Sequence, residues 1–277
     1  MNWRCVNPER KYLGFTKRAH IRYITSFSSM GIIQIAAHSI HPRYLRPESV
    51  VVDLGANHGQ FLNEVLGRFH CRCVGVEGNS TLASHLAENS KAQILHAVVG
   101  DGDGTATFSI TENDQCSTIL NGPAVSSVIG REEVRMLSLQ SLFAELNLDR
   151  VDVLKMDIEG AEIGALAACP DAILRRIGQL CVEFHDSLGI TSFEEIRKTA
   201  SRLRGLGFHW IRGTFTNYED NLFINSALCP CTQLDLFYNR AFARYWNGLI
   251  RLSKREWHSH RETRASAGNL RRRTRAF

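Results

Sequence analysis

Asp53-Leu54-Gly55-Ala56-Asn57-His58-Gly59 closes an apolar run with an acid and two glycines. Glycines at such a turn let the backbone approach a ligand closely, and the acid stands ready to hold a cation. Glu77 ends a second apolar run 22 residues after Gly55, where a carboxylate can accept both hydroxyls of a ribose. Further on, Asp157 with Glu159, and Glu183 with His185, make two i,i+2 polar pairs at the ends of two more apolar runs. Side chains two apart on a strand share a face, so each pair is expected to point at one place.

The turn and Glu77 together describe a nucleoside site. Asn57 stands where a dinucleotide fingerprint would have its middle glycine, leaving a Gly-x-x-x-Gly spacing. S-adenosylmethionine carries no phosphate and needs only ribose, adenine and amino-acid contacts, so the methyl donor is preferred over a nicotinamide dinucleotide, which remains the rival. We place the donor against Asp53, Gly55, Ala56, Asn57, Gly59 and Phe61, against Glu77 and Asn79, and against the backbone around Ala97 and Val98. The two polar pairs mark the methyl-transfer position. An acceptor hydroxyl needs somewhere to send its proton, and His185 is the expected base, with Asp157 as the alternative. Other roles stay open for the same residues. Asp157 can bond the donor's amino group, and Glu159 can cap a helix starting at Gly160. Asp157, Glu183 and His185 can hold magnesium or manganese, because hard oxygens with one imidazole suit those ions. Ser117 and Thr118 either touch the acceptor or end a loop, and His58 is read as a turn residue.

The elements that must position these residues follow the rhythm of an open parallel sheet. Strands are expected at Val50–Leu54, Cys71–Glu77, Gln93–Val98, Thr105–Ile110, Glu133–Leu137, Val151–Asp157, Leu180–His185, Phe208–Ile211 and Leu222–Asn225. Helices are expected at Gln60–Arg68, Leu82–Asn89, Leu139–Leu146, Ala161–Ala168 and Phe193–Leu203. Right-handed crossovers put the first two strands side by side, with the third continuing outward. Residues 111–130 read as a polar loop. Tyr12 to Tyr44 is expected to form helices over the sheet edge or the cofactor. Leu236, Phe237, Ala241, Tyr245 and Leu249 recur at helical spacing before an Arg-rich tail.

Leu154-Lys155-Met156-Asp157-Ile158-Glu159-Gly160-Ala161-Glu162 resembles the signature of the FkbM family of methyltransferases. The stretches Val51–Phe61, Ala97-Val98-Val99-Gly100-Asp101 and Val182-Glu183-Phe184-His185 are similar to their counterparts there, in the same order, and the resemblance covers about residues 50–226. It implies an α/β, Rossmann-like class I methyltransferase fold, with a mostly parallel seven-stranded sheet and helices on both faces. It also implies S-adenosyl-L-methionine as donor and O-methylation of a sugar, polyketide or lipid-linked glycan. The methyltransferase domain is then residues 50–228, between an N-terminal helical extension, 1–49, and a C-terminal helix with a basic tail, 229–277.

Composition bounds the alternatives. With 44% hydrophobic and 22% charged residues, the 277-residue chain can bury a core. Its net charge of +5 is segregated: residues 1–49 hold eight Lys/Arg against two acids, and 251–277 hold nine against two. The body between them keeps 16 basic and 24 acidic residues. The basic ends suit an anionic partner or peripheral membrane contact, and a nucleic-acid methyltransferase is the rival they motivate, although the acidic body argues against it. A donor-binding protein without turnover is the non-enzymatic rival. The eight cysteines, at 5, 71, 73, 116, 169, 181, 229 and 231, frame no disulfide or zinc pattern, and most are read as small core residues. Neither a leader nor a bilayer-spanning stretch is evident, which makes the cytoplasm the expected location.

Overall fold

The runs Val50–Leu54 (β3) and Val151–Met156 (β9) are mostly apolar, though Asp53, Asp152 and Lys155 are buried within them, and they lie side by side at the centre of a seven-stranded sheet. The computed structural model describes residues 31–111, 118–119, 128–186, 191–214 and 218–239. The chain order is β1 (Ile33–Ile35), β2 (His38–Ile40), a short 3-10 turn at Pro42–Tyr44, β3, α1 (Gln60–Phe69), β4 (Arg72–Glu77), α2 (Ser80–Asn89), β5 (Gln93–His96) and β6 (Val98–Val99). It continues through β7 (Gly104–Thr111), β8 (Val128–Leu137), α3 (Leu139–Glu145), β9, α4 (Glu162–Ala168), α5 (Asp171–Leu174) and β10 (Ile177–Val182). It closes with α6 (Phe193–Gly205), β11 (Phe208–Arg212), β12 (Asn221–Asn225) and α7 (Gln233–Tyr238).

The large sheet runs β11-β12-β10-β9-β3-β4-β5, parallel except that β12 is antiparallel to both its neighbours. The expected α/β class and its largely parallel sheet are borne out. Residue alternation sends Val52, Leu54, Leu154 and Met156 into one core, and Val51, Cys73, Val153 and Cys181 into the core on the opposite face. Helices start where the sequence offers caps: Asn79 accepts from the Thr81 and Leu82 amides, and Ser192 with Glu195 forms a capping box.

Two expectations change. The third strand does not run unbroken to Val98. The chain leaves the large sheet after His96, and Val98–Val99 pairs with Met136–Leu137 in a second sheet of order β6-β8-β7. The described part of the N-terminal extension is not an α-helix. Ile33–Ile35 and His38–Ile40 form an antiparallel hairpin through Ala36 and Ala37, both at positive φ. Polar anchors hold this hairpin on the sheet. Asp220 accepts from the Ser39 amide at 2.9 Å and from the Ser39 hydroxyl at 2.7 Å, while the Gln179 side chain bonds both the His41 amide and its carbonyl.

The C-terminal helix is seen as α7 with Leu236 buried and Phe237 exposed; Ala241, Tyr245, Leu249 and the arginines of the tail lie outside the described residues, as do residues 1–30, Cys5, Cys116 and Ser117. Among the described residues, no helix is long and apolar enough to cross a membrane. Cys71, Cys73, Cys169, Cys181 and Cys229 are buried, in keeping with a packing role.

Candidate functional site

At the carboxyl end of β3 the chain turns through Gly55 (φ +75°), Asn57 (φ +48°) and Gly59 (φ +72°). The Gly55 and Ala56 amides both donate to the Val76 carbonyl, tying the turn to β4. A Cβ at Gly55 would lie 1.9 Å from the Asp157 carbonyl oxygen, so a glycine is needed where the exit of β9 crosses the turn. Glu77, at the end of β4, accepts from the Asn57 amide at 2.7 Å and from the Asn79 amide at 2.8 Å. Burial pushes its carboxyl up, and these two amides oppose the shift. The glutamate is thus held rigid, with lone pairs left for a ligand.

A cavity of about 460 Å³ opens over these strand ends, a volume suited to a small-molecule site. Gly55, Ala56, Asn57, Phe61, Glu77 and Val98 line it on one side, and Asp157, Glu159, Glu183 and His185 on the other. Three expected contacts do not reach it. Asp53 sits on the pleat shared with Val51, fully buried, and pairs with the Lys155 ammonium at 2.9 Å. Gly59 turns away against Leu86, and the Asn79 side chain is used as the cap of α2. His58 lines the cavity from the turn, where its amide donates to the Asn57 side chain.

Lys155 links the two sides. Its Nζ donates to the Gly55 carbonyl at 2.9 Å and lies 3.5 Å from Asp157 Oδ2. Burial works against its charge, but Asp53 and Asp157 outweigh burial and hold the ammonium firmly protonated. Asp157 is likewise held well below the usual carboxylate range: burial would raise it, and Lys155, His38 and His185 overcome that.

The two polar pairs do meet, though not by strand alternation. β9 ends at Met156 and β10 at Val182, and Glu159 reaches the site from a left-handed backbone conformation (φ +53°). His185 Nε2 lies 3.1 Å from Glu159 Oε2 and 3.7 Å from Asp157 Oδ1, while Nδ1 faces Glu162 Oε1 at 3.4 Å. Burial would lower the pKa of His185, but its bonds to Glu159 and Glu162 lift it to about 11. Those two carboxylates favour the charged imidazole over the neutral form that a base would need. Glu159 does not cap α4; the Ile158 and Gly160 amides donate instead to the fully buried Glu162. Thr118 donates its hydroxyl to the Glu159 carbonyl and so braces the loop. Burial and the charge of Asp157 push Glu183 up to about 8.

Sequence reasoning missed His38, Lys155, Glu162 and the apolar wall of Phe108. Lys155 was discoverable, because it stands level with Asp53 across the β3–β9 register. The grouping Asp157, Glu183 and His185 is also revised. Candidate ligand atoms cluster as His38, Asp157 and Glu183, and as Asp157, Glu159 and His185, each set within 4.8 Å. The second set has its imidazole already committed to carboxylates.

Among known proteins, the Methyltransferase FkbM domain matches residues 46–209. The AMB antimetabolite synthetase AmbE of Pseudomonas aeruginosa is 38% identical over 52 residues, 19% of this chain and 2% of that protein's length. A TehB-like SAM-dependent methyltransferase from Corynebacterium glutamicum is similar at 11% identity and a TM-score of 0.34, over 65% of this chain and 81% of that one. TrmK of M. capricolum, solved with S-adenosylhomocysteine, is similar at 11% identity and a TM-score of 0.35, over 71% of each chain.

Proposed function

The chain belongs to the FkbM methyltransferase family and is an S-adenosylmethionine-dependent methyltransferase, and from that premise we propose that it methylates a hydroxyl oxygen of a sugar, glycan or other small natural product. Membership displaces the oxidoreductase alternative. The observation that carries the rest is the division of one cavity into a rigid ribose-type carboxylate, Glu77, and a cluster of carboxylates at the mouths of β9 and β10.

In this reading Glu77 takes the ribose hydroxyls, the turn Gly55–Asn57 lies along the amino-acid part, and Val98 with Phe108 walls the adenine. The sulfonium supplies an electrophilic methyl group when the donor is bound. The protein's share is orientation of the acceptor oxygen in line with that methyl and a place for its proton. Asp157, fixed by Lys155, positions the acceptor. Glu159, raised by burial and paired with the His185 imidazolium, accepts the proton as the oxygen takes the methyl, leaving S-adenosylhomocysteine. The carboxylate lining favours a neutral, hydroxyl-rich acceptor over a nucleic-acid backbone, whose phosphates it would repel.

Calorimetric titration with S-adenosylhomocysteine tests the donor half. Wild type should bind in the micromolar range, and Glu77→Ala should weaken binding by roughly 10- to 100-fold, the worth of charge-assisted hydrogen bonds. Unchanged affinity in that variant would remove Glu77 from the donor site. Screening sugars and glycans for methyl uptake then tests the acceptor half, and turnover only on nucleic acid would overturn it.

A further inference from the structure

We propose that His38, Asp157 and Glu183 form a site for one divalent cation, of the manganese or magnesium type, that holds the acceptor oxygen beside the donor. The proposal rests on the acceptor placement given above. Its first support is the imidazole. The His38 side chain is 6% exposed and lines the cavity, and its Nε2 faces Asp157 Oδ2 at 3.6 Å, a long contact for a direct pair. A buried ring and a carboxylate that face each other at this distance can share a ligand between them. With bonds of about 2.1 Å, neighbouring atoms on one octahedral ion stand about 3.0 Å apart, so a bound ion would draw the two groups together by roughly half an ångström.

The second support is charge. Asp53, Asp157, Glu159, Glu162 and Glu183 crowd this end of the sheet, against only the Lys155 ammonium and the His185 imidazolium among the described residues. These five acids outnumber the two cations, and Asp157, which Lys155 and His185 both approach, lines the cavity together with Glu183. Two oxygens with one imidazole are a donor set for a hard to borderline ion, and among hard ions the nitrogen favours manganese. Such an ion would bind the acceptor hydroxyl and make its proton easier to remove. Glu159 remains beside it to receive that proton.

The test is Mn2+ titration of the full chain, followed by the electron paramagnetic resonance of free Mn2+, with S-adenosylhomocysteine binding measured on the same samples. One Mn2+ should bind per chain, and pulsed spectra should show 14N coupling from a single imidazole. Glu183→Gln and His38→Gln should each weaken Mn2+ by about tenfold or more, since even groups behind a ligand are worth that much. His38→Gln should also abolish the 14N signal, and both variants should keep their affinity for S-adenosylhomocysteine, which shows them folded. Absence of Mn2+ binding at millimolar metal, or 14N coupling that survives in His38→Gln, would overturn the proposal. Failure of wild type to bind S-adenosylhomocysteine would instead strike the donor assignment, so the two failures are told apart.

Discussion

Lys155→Met removes the one cation between two carboxylates while keeping nearly the same side-chain length. Asp53 is 1% exposed and Lys155 5% exposed, and the 2.9 Å contact between them is the ion pair that keeps the Asp53 charge inside the sheet. Without the ammonium, Asp53 must either stay charged in the core or take up a proton. Protonation sets the ceiling: bringing a carboxyl of ordinary pKa near 3.9 to the neutral form at pH 7 costs about 4 kcal/mol. That agrees with the roughly 3–5 kcal/mol lost when one partner of a buried pair is removed. The folded variant therefore holds a proton that the unfolded chain releases, so its penalty grows with pH above the ordinary aspartate range. At pH 5 the same ceiling is only about 1.5 kcal/mol. Urea denaturation of wild type and Lys155→Met at pH 7 and pH 5 measures both numbers. Adding Asp53→Asn to Lys155→Met should restore most of the loss at pH 7, because the stranded charge is gone. A loss under about 1 kcal/mol at pH 7, or no recovery in the double variant, would refute the claim that Lys155 is held for charge balance.

Gly55→Ala should destabilise the fold by about 2–5 kcal/mol, the sum of a left-handed residue and an overpacked contact, and should weaken S-adenosylhomocysteine binding by displacing Asp157. Calorimetry and urea denaturation check both parts, and a variant of wild-type stability would mean that the turn can relax. His41 is pushed down to about 4, by burial first and by Arg43, against an opposing effect of Asp235. Its neutral form is the one that folds, so its contribution is full above pH 6.5 and is lost between there and pH 4, by up to about 3 kcal/mol. His41→Phe keeps the ring beside Tyr44 and should flatten that part of the stability curve; identical slopes in the two proteins would exclude His41 as the cause.

The large sheet was legible because its central strands are short, mainly apolar runs followed by glycine or acidic residues, and the ends of those runs mark the cavity. The break at Ala97 was not legible. Gln93–Val98 reads as one strand, and only pairing with Met136 and Leu137, about forty residues on, pulls Val98 into another sheet. His38 escaped for a similar reason: Ala36 and Ala37 favour helix locally, and nothing in them announces a turn that requires positive φ at both positions. Asp53 was assigned to the cavity because a strand-end acid looks available, whereas the pleat places it with Val51, facing Lys155. The pairs Asp157 with Glu159 and Glu183 with His185 were aimed at one place by an argument about strand faces that does not apply, since all four residues lie beyond the strands.

The hairpin of β1 and β2 also bears on where the working unit of this protein begins. The matched family region starts at residue 46, and every strand of the large sheet lies after it. Yet Ala36, Ala37 and His38 form one wall of the cavity, and that wall is fastened to β10 and the approach to β12 by Gln179 and Asp220. The sheet and its site thus have different boundaries. The anchors for the wall are built into the frame of strands, while the wall itself comes from a segment outside the matched region. Two chains sharing the matched region could therefore hold the donor alike and still present different surfaces to what is methylated.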